Sequence, residues 1–332
     1  DVYKRQSYLL LTGLLWGQVP LATQTLAQDS AATDDSQRKI SDVTAEEDPY
    51  LWLEDVTGDK ALDWVREQND TTQSHFESQQ GFRTLEADLL QILDSDERIP
   101  FVSKSGDYYY NFWRDKDHVR GIWRRTTLDE YRRDEPDWET ILDLDALAEK
   151  EEENWVWKGA SILRPDYDLA LVNLSRGGAD ATVTREFDLK SKQFIASGFV
   201  RPEAKGGLNW IDRDTVFVYT DFGEGTLTTS GYPRITKLWR RGTPLDQAQT
   251  IYEGTADDMY ISAVHDDSPG YERNFVSRTI AFYNDELYLL NDNKTLTKIE
   301  APNSADKSVF HDYLILRLRE PWSIDDQTYA AG

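Results

Sequence analysis

From Ile99 onward the apolar residues recur with a period of two, in short runs separated by polar turns, and the runs fall into consecutive groups of four. This constrains the fold most, because a period of two sends alternate side chains to opposite faces of an extended strand. The first group is Phe101 to Ser103, Tyr108 to Trp113, Val119 to Thr126 and Trp138 to Leu142. The second is Trp155 to Leu163, Leu169 to Leu174, Thr182 to Leu189 and Gln193 to Ala196. Leu208 to Ile211, Thr215 to Thr220, Ile235 to Arg240 and Gln249 to Tyr252 make the third; Tyr260 to His265, Arg273 to Phe282, Glu286 to Leu290 and Thr297 to Glu300 make the fourth. An aromatic content of 12% suits such strands better than a helical bundle.

A marker supports the repeat. The third strand of each of the first three groups carries an aromatic beside a charge, at Trp123, Phe187 and Trp239. The intervals, about 64 and about 52 residues, exceed the roughly 40 to 50 of a typical propeller blade by what loop insertions add. Repeated four-stranded meanders bury each sheet face against the next, which is a β-propeller; a large sandwich with Greek-key crossings is the alternative. A fifth group starts at Val309 to Arg319 and does not finish before Gly332, so the sequence is expected to be part of a longer chain. Residue 1 is Asp rather than Met, which points the same way.

The N-terminal part reads differently. Lys4 and Arg5 precede an apolar run from Tyr8 to Trp16 and small residues as far as Ala27, the order of a secretory signal, expected over 1–27. That run is too short to span a bilayer of about 30 Å. Residues 28–46 form an acidic linker almost without large apolar side chains and are expected to be disordered. In 47–97 an Asp48-Pro49 turn leads into Tyr50, Leu51, Trp52 and Leu53. Thr57-Gly58-Asp59 then offers a turn and a candidate N-cap for an amphipathic helix carrying Ala61, Leu62, Trp64 and Val65. Residues 70–80 read as a turn or continued helix. Phe82, Leu85, Leu89 and Ile92 mark a second helix ending near Leu93, and Leu144 to Glu151 allow a short third.

A net charge of −24 excludes a nucleic-acid role, since a phosphate backbone needs a basic footprint. Cysteine is absent, so there is no disulfide, thiolate metal site or thiol nucleophile. No phosphate loop, His-Glu-x-x-His pair or calcium loop occurs. Asn291-Asp292-Asn293 and Asp257-Asp258 are acidic turns with at most weak cation affinity, and the Glu149 to Glu153 run reads as a solvated face. Gly177-Gly178-Ala179-Asp180 and Gly223-Glu224-Gly225 read as turns rather than phosphate cradles. A nucleophile elbow needs Gly-x-Ser-x-Gly; Gly159-Ala160-Ser161-Ile162-Leu163 comes nearest and lacks the second glycine. The four histidines, His75, His118, His265 and His311, are isolated from one another in sequence and read as surface or packing residues.

DPYLWLED at Asp48 to Asp55 followed by WVREQN at Trp64 to Asn69 resembles the N-terminal segment of the prolyl oligopeptidase family of serine peptidases. GDYYYNFWRD at Gly106 to Asp115 and GGADATVTREFDL at Gly177 to Leu189 are similar to the propeller of that family. The resemblance spans about Glu47 to Gly332 and looks closer to an exported bacterial relative than to the cytosolic prolyl-specific enzyme. It implies a mainly β fold: an incomplete β-propeller over 98–332, about four to five blades of an expected seven, preceded by a helical arm. In the family that arm packs on an α/β-hydrolase domain carrying a Ser-Asp-His triad, while the propeller covers the active site and admits short peptides.

None of the triad positions matches a residue of this sequence, so no catalytic, cofactor-binding or metal residue is assigned and no cofactor is expected. The expected partners are short peptides and the chain's own hydrolase domain, with no nucleic acid and no membrane after signal cleavage. The expected location is periplasmic or extracellular. The alternative is a stand-alone secreted propeller that binds a peptide, sugar or protein. The resemblance also implies that Trp52 and Trp64, made for a partner domain, are more exposed than Trp123.

Overall fold

The computed structural model describes Thr44, Glu46, residues 48–95 and residues 97–332. The signal sequence and nearly all of the linker expected above lie outside the described residues. The chain divides into two compact units between Thr84 and Leu85.

In the first unit Leu51–Glu54 form one 3-10 turn and α1 runs Asp59–Glu77. Gly58, not a side chain, occupies the cap position, and Asp59 sits in the first turn where its charge suits the helix dipole. The polar stretch after Asn69 continues the helix, held by i,i+4 bonds such as Gln73 to Glu77 at 2.7 Å. Trp52 and Trp64 meet edge to face at 6.1 Å, and Lys60 lies 4.2 Å over the Trp52 ring. Both tryptophans are half-buried whereas Trp123 is buried, the order expected from the sequence. The unit boundary falls inside α2, Gln80–Leu93. Its apolar stripe is formed but not covered: Leu85, Leu89, Leu90, Ile92 and Leu93 are all exposed.

From Ser103 the chain is a succession of antiparallel sheets. Sheet one is β1 (Ser103–Ser105), β2 (Tyr108–Trp113), β3 (Ile122–Thr127) and β4 (Glu139–Asp143). Sheet two holds β5 (Trp155–Ile162), β6 (Leu169–Arg176), β7 (Thr182–Asp188) and β8 (Gln193–Phe194), with β9 (Val200–Ala204) also on β7. Sheet three is β10 (Gly207–Asp212), β11 (Thr215–Tyr219), β12 (Ile235–Arg240) and β13 (Gln249–Glu253). Sheet four is β14 (Tyr260–Asp266), β15 (Arg273–Ala281), β16 (Asn284–Leu290) and β17 (Leu296–Lys298). The hairpins β18 (Asp306–Phe310) with β19 (Tyr313–Arg317), and β20 (Trp322–Ile324) with β21 (Gln327–Tyr329), follow. Apart from β9, which pairs with β7 beyond β8, the strands of each sheet follow one another in chain order as meanders.

Consecutive sheets pack face to face, and the second strands show why their sequences are continuously apolar. In β6 Ala170, Val172 and Leu174 enter a core shared with Tyr110, Trp123 and Leu142 of sheet one. Leu169 and Leu171, pointing the other way, enter a second core with Leu208, Val216 and Trp239 of sheet three. In β11 Val216 and Val218 join that second core while Phe217 joins a third, with Ile261 and Val276 of sheet four. Strands covered on both faces lose the polar half of their alternation. The stacked meanders form a propeller arc.

Three details depart from the sequence reading. The marker aromatics share a strand position but not a face: Trp123 points forward into the first core, whereas Phe187 and Trp239 point back toward the preceding sheet. Strand β9 was not expected, because Pro202 lies within it; as an edge strand it tolerates the missing donor. A short helix α3, Leu128–Tyr131, capped by Thr127 Oγ1 on Glu130 N, interrupts the link from β3 to β4; the helix expected after it forms as α4, Leu144–Glu151.

Candidate functional site

The first strands of sheets two, three and four lie side by side. Trp210 Nε1 of β10 donates to Ser161 O of β5 at 2.9 Å, and Asn209 Nδ2 of β10 donates to Ala263 O of β14 at 2.7 Å. These strands form the axial wall of the arc, where a ligand entering a propeller meets the protein. A cavity of about 120 Å³ opens on this wall, lined by Ser161, Arg164, Asn209, Trp210, His265 and Asp267 among others. At its edge Arg164 Nη1 and Asp267 Oδ1 pair at 3.0 Å, joining sheet two to sheet four across the end of sheet three. A second cavity, about 390 Å³, lies between sheets one and two, lined by Tyr110, Phe112, Trp123 and Trp157 with Phe101 at its margin. Phe112 and Trp157 stack there at 5.0 Å.

The fold thus brings Ser161 and His265 to one cavity, yet no hydrogen bond joins them. The His265 ring is engaged through Nδ1 with Asn274 Oδ1 at 2.9 Å, and the nearby Asp267 is committed to Arg164. Nucleophile, base and orienting carboxylate are not connected as acyl transfer requires.

The remaining histidines are dispersed. His75 sits on α1 against Phe76, and His311 stacks on Tyr271 at 4.7 Å. His118 Nδ1 lies 2.9 Å from Asp115 Oδ1. Burial pushes the Asp115 carboxyl up, but hydrogen bonds from His118, Trp113 and Asp117 outweigh it and hold it below the usual range. These bonds close the turn after β2.

Gly177, Gly178, Gly223 and Gly225 all have positive φ, as turn glycines do. Asp258 is not a solvated turn residue: it is buried, accepts Arg278 Nε at 2.9 Å and accepts Thr255 N at 2.7 Å. The glutamate run is likewise partly committed, with Glu151 on Arg185 at 2.9 Å and Glu153 on Arg176 at 2.6 Å. No cluster of metal-ligating side chains occurs among the described residues.

The most buried charges lie between sheets two and three and carry no sequence motif. Glu186 of β7 is fully buried; Arg241 donates to it from Nη1 and Nη2, each at 2.9 Å, and Phe199 N donates at 2.8 Å. Arg201 of β9 is also fully buried; among the described residues it meets no carboxylate, only Thr182, Thr184 and Thr220 hydroxyls and the carbonyls of Pro202 and Ala204. Burial lowers its pKa to about 10. Tyr219 and Tyr260 pack edge to face at 5.7 Å, and burial raises both hydroxyls above the ordinary tyrosine range. These groups lock β9 and adjacent sheets together.

Comparison with known proteins agrees with this architecture. Residues 29–310 match the family described as prolyl oligopeptidase, N-terminal beta-propeller domain. An uncharacterized peptidase of Sinorhizobium fredii is 38% identical over 261 residues, 78% of this chain and 36% of that protein. An uncharacterized peptidase of Rickettsia prowazekii is 29% identical over 296 residues, 85% of this chain and 41% of that protein. The solved structure of a post-proline cleaving enzyme from Rickettsia typhi superposes with a TM-score of 0.81 at 29% identity, covering 87% of this chain and 44% of that one. Oligopeptidase B from Leishmania major shares the fold at 17% identity and a TM-score of 0.59, over 79% of this chain and 36% of that one. The chain therefore spans less than half the length of each of these relatives. With its consecutive antiparallel sheets, its axial wall and a family match over most of its length, the chain belongs to the prolyl oligopeptidase family, whose N-terminal β-propeller domain it carries.

Proposed function

We propose that this chain is the propeller-bearing N-terminal part of an exported serine peptidase that hydrolyses short peptides. The observation that carries the reading is the match over 29–310 combined with a span of only 36% and 41% of the two relatives named peptidases. The chemistry would be acyl transfer, with a serine activated by histidine and the oxyanion held by nearby donors. The Ser-Asp-His triad would reside in an α/β-hydrolase domain beyond residue 332. The lack of any hydrogen-bonded Ser-His pair on the axial wall supports that placement. The uncovered apolar stripe of α2 supports a helical arm that docks on such a domain, and the axial wall would limit substrates by size. The order Lys4, Arg5, apolar run, Ala27 supports export to the periplasm or beyond. Cleavage after proline is the first specificity to assay, because the structural relative at 29% identity is named for it.

The test has two arms. Extending the reading frame past Gly332 is expected to reveal Gly-x-Ser-x-Gly followed by Asp and His; a frame without them sinks the peptidase reading and leaves a binding propeller. The chain by itself is expected to leave short chromogenic peptides uncleaved, and turnover blocked by a serine-directed inhibitor would overturn the placement of the triad.

A further inference from the structure

The first strand of each sheet runs into a short turn, and in four consecutive sheets these turns are tied to one another by side chains. They are 106–107 after β1, 163–168 after β5, 213–214 after β10 and 267–272 after β14, and 311–312 after β18 continues the series. Because β5, β10 and β14 lie side by side in the axial wall, the turns that follow them come out together at one end of it.

The ties run in series. Between sheets one and two the Tyr167 ring lies over Gly106, so closely that a Cβ there would come within 3.1 Å of it. From sheet three Arg213 Nη2 reaches sheet two, donating to Asp166 Oδ2 at 2.9 Å and to both Asp168 oxygens at 2.8 Å. Arg164 of sheet two donates Nη1 to Asp267 of sheet four at 3.0 Å and Nε to Tyr167 Oη at 3.3 Å. Beyond sheet four, Tyr271 stacks on His311 at 4.7 Å and Arg273 Nη2 donates to His311 O. Tyr167 is the centre of the series, and its φ is 55°. A bulky residue holds this left-handed conformation only where its surroundings over-determine it. Its own N–H donates to Leu163 O at 2.9 Å.

We propose that these turns form a belt, centred on Tyr167 and sensitive to ionic strength, that holds the axial strands of sheets one to four together at this end. Arg164, Arg213 and their aspartates are each about half exposed, and an exposed pair contributes little by itself. Linked through one strained tyrosine they act together, so that slack in one turn passes to the next. Salt screens exposed pairs and leaves the apolar cores between the sheets untouched. Raising the ionic strength therefore relaxes this end of the axial wall while the sheets stay packed. The belt needs only contacts between these turns and is independent of what packs on either end of the series.

Hydrogen exchange on the chain tests the belt by changing one sheet and reading another. Asp267→Asn in sheet four is expected to raise exchange at the Tyr167 amide of sheet two about 1.5- to 5-fold, the range for one exposed pair. Arg213→Gln in sheet three is expected to do the same, with the Phe217 amide of β11 unchanged in both. Taking the parent from about 0.01 M to about 1 M salt is expected to loosen Tyr167 likewise, after correction for intrinsic rates, and Asp267→Asn to respond less. If Tyr167 exchanges in both variants as in the parent, the turns are independent and the belt is refuted. Equal loosening of Phe217, or a salt response that Asp267→Asn leaves unchanged, also overturns it. Both substitutions alter half-exposed side chains and leave the apolar cores intact, so the variants are expected to fold.

Discussion

Removing Arg241 while leaving Glu186 in place should destabilise the chain more than removing both charges together. Glu186 is fully buried between sheets two and three and receives both terminal nitrogens of Arg241, each at 2.9 Å, plus the backbone N–H of Phe199 at 2.8 Å. Arg241→Met strands a carboxylate with one remaining donor, and breaking a buried pair from one side costs about 3 to 5 kcal/mol. For a domain of this size that lowers the midpoint by on the order of 10 °C. The double variant Glu186→Leu with Arg241→Met removes the charge that would be stranded. It forfeits the Phe199 N–H acceptor and the Arg241 bonds to Asp214 and Arg213 O, so its net cost is expected to stay within about 2 kcal/mol. Equilibrium urea unfolding of the four members of the cycle, with the slope checked for constancy, reads both values. The reasoning fails if Arg241→Met costs under about 1 kcal/mol, or if the double variant is as unstable as the single.

Two further outcomes follow. Hydrogen bonds from Lys298 and Tyr288 hold the Glu286 carboxyl down at about 2. A carboxyl depressed on folding stabilises fully above its unfolded value, near pH 4.3, and that contribution is lost as the pH falls through the folded value. Glu286→Gln should therefore narrow its stability gap to the parent between about pH 4.3 and pH 2; a constant gap in acid unfolding would refute the assignment. Leu89→Glu on the exposed stripe of α2 should change the stability of this chain by no more than about 0.5 kcal/mol, and a cooperative loss above about 2 kcal/mol would show that Leu89 is already packed.

Much of the fold was written in local pattern. The period of two located every strand of the first four sheets except β9, and the periodicity of Phe82, Leu85, Leu89 and Ile92 located α2, because backbone geometry alone ties these spacings to one face. The DPYLWLED and WVREQN runs were enough to suggest the family. Strand β9 stayed hidden because Pro202 weakens the local signal, and only pairing with β7 makes Val200–Ala204 a strand.

What the sequence could not decide was which side chains meet across sheets. Nothing local distinguishes Glu186, buried and clamped by Arg241 55 residues later, from the solvated Glu203 of β9. Asp258 looked like an acidic turn until Arg278 was seen upon it. Ser161 and His265 share a cavity that no spacing announces. Alternation fixes the face a residue takes within its own sheet, but its partner is set by how sheets stack over long separations. The sequence thus determined most strands, the helices and the family, while the buried ion pairs and the axial wall came only with tertiary packing.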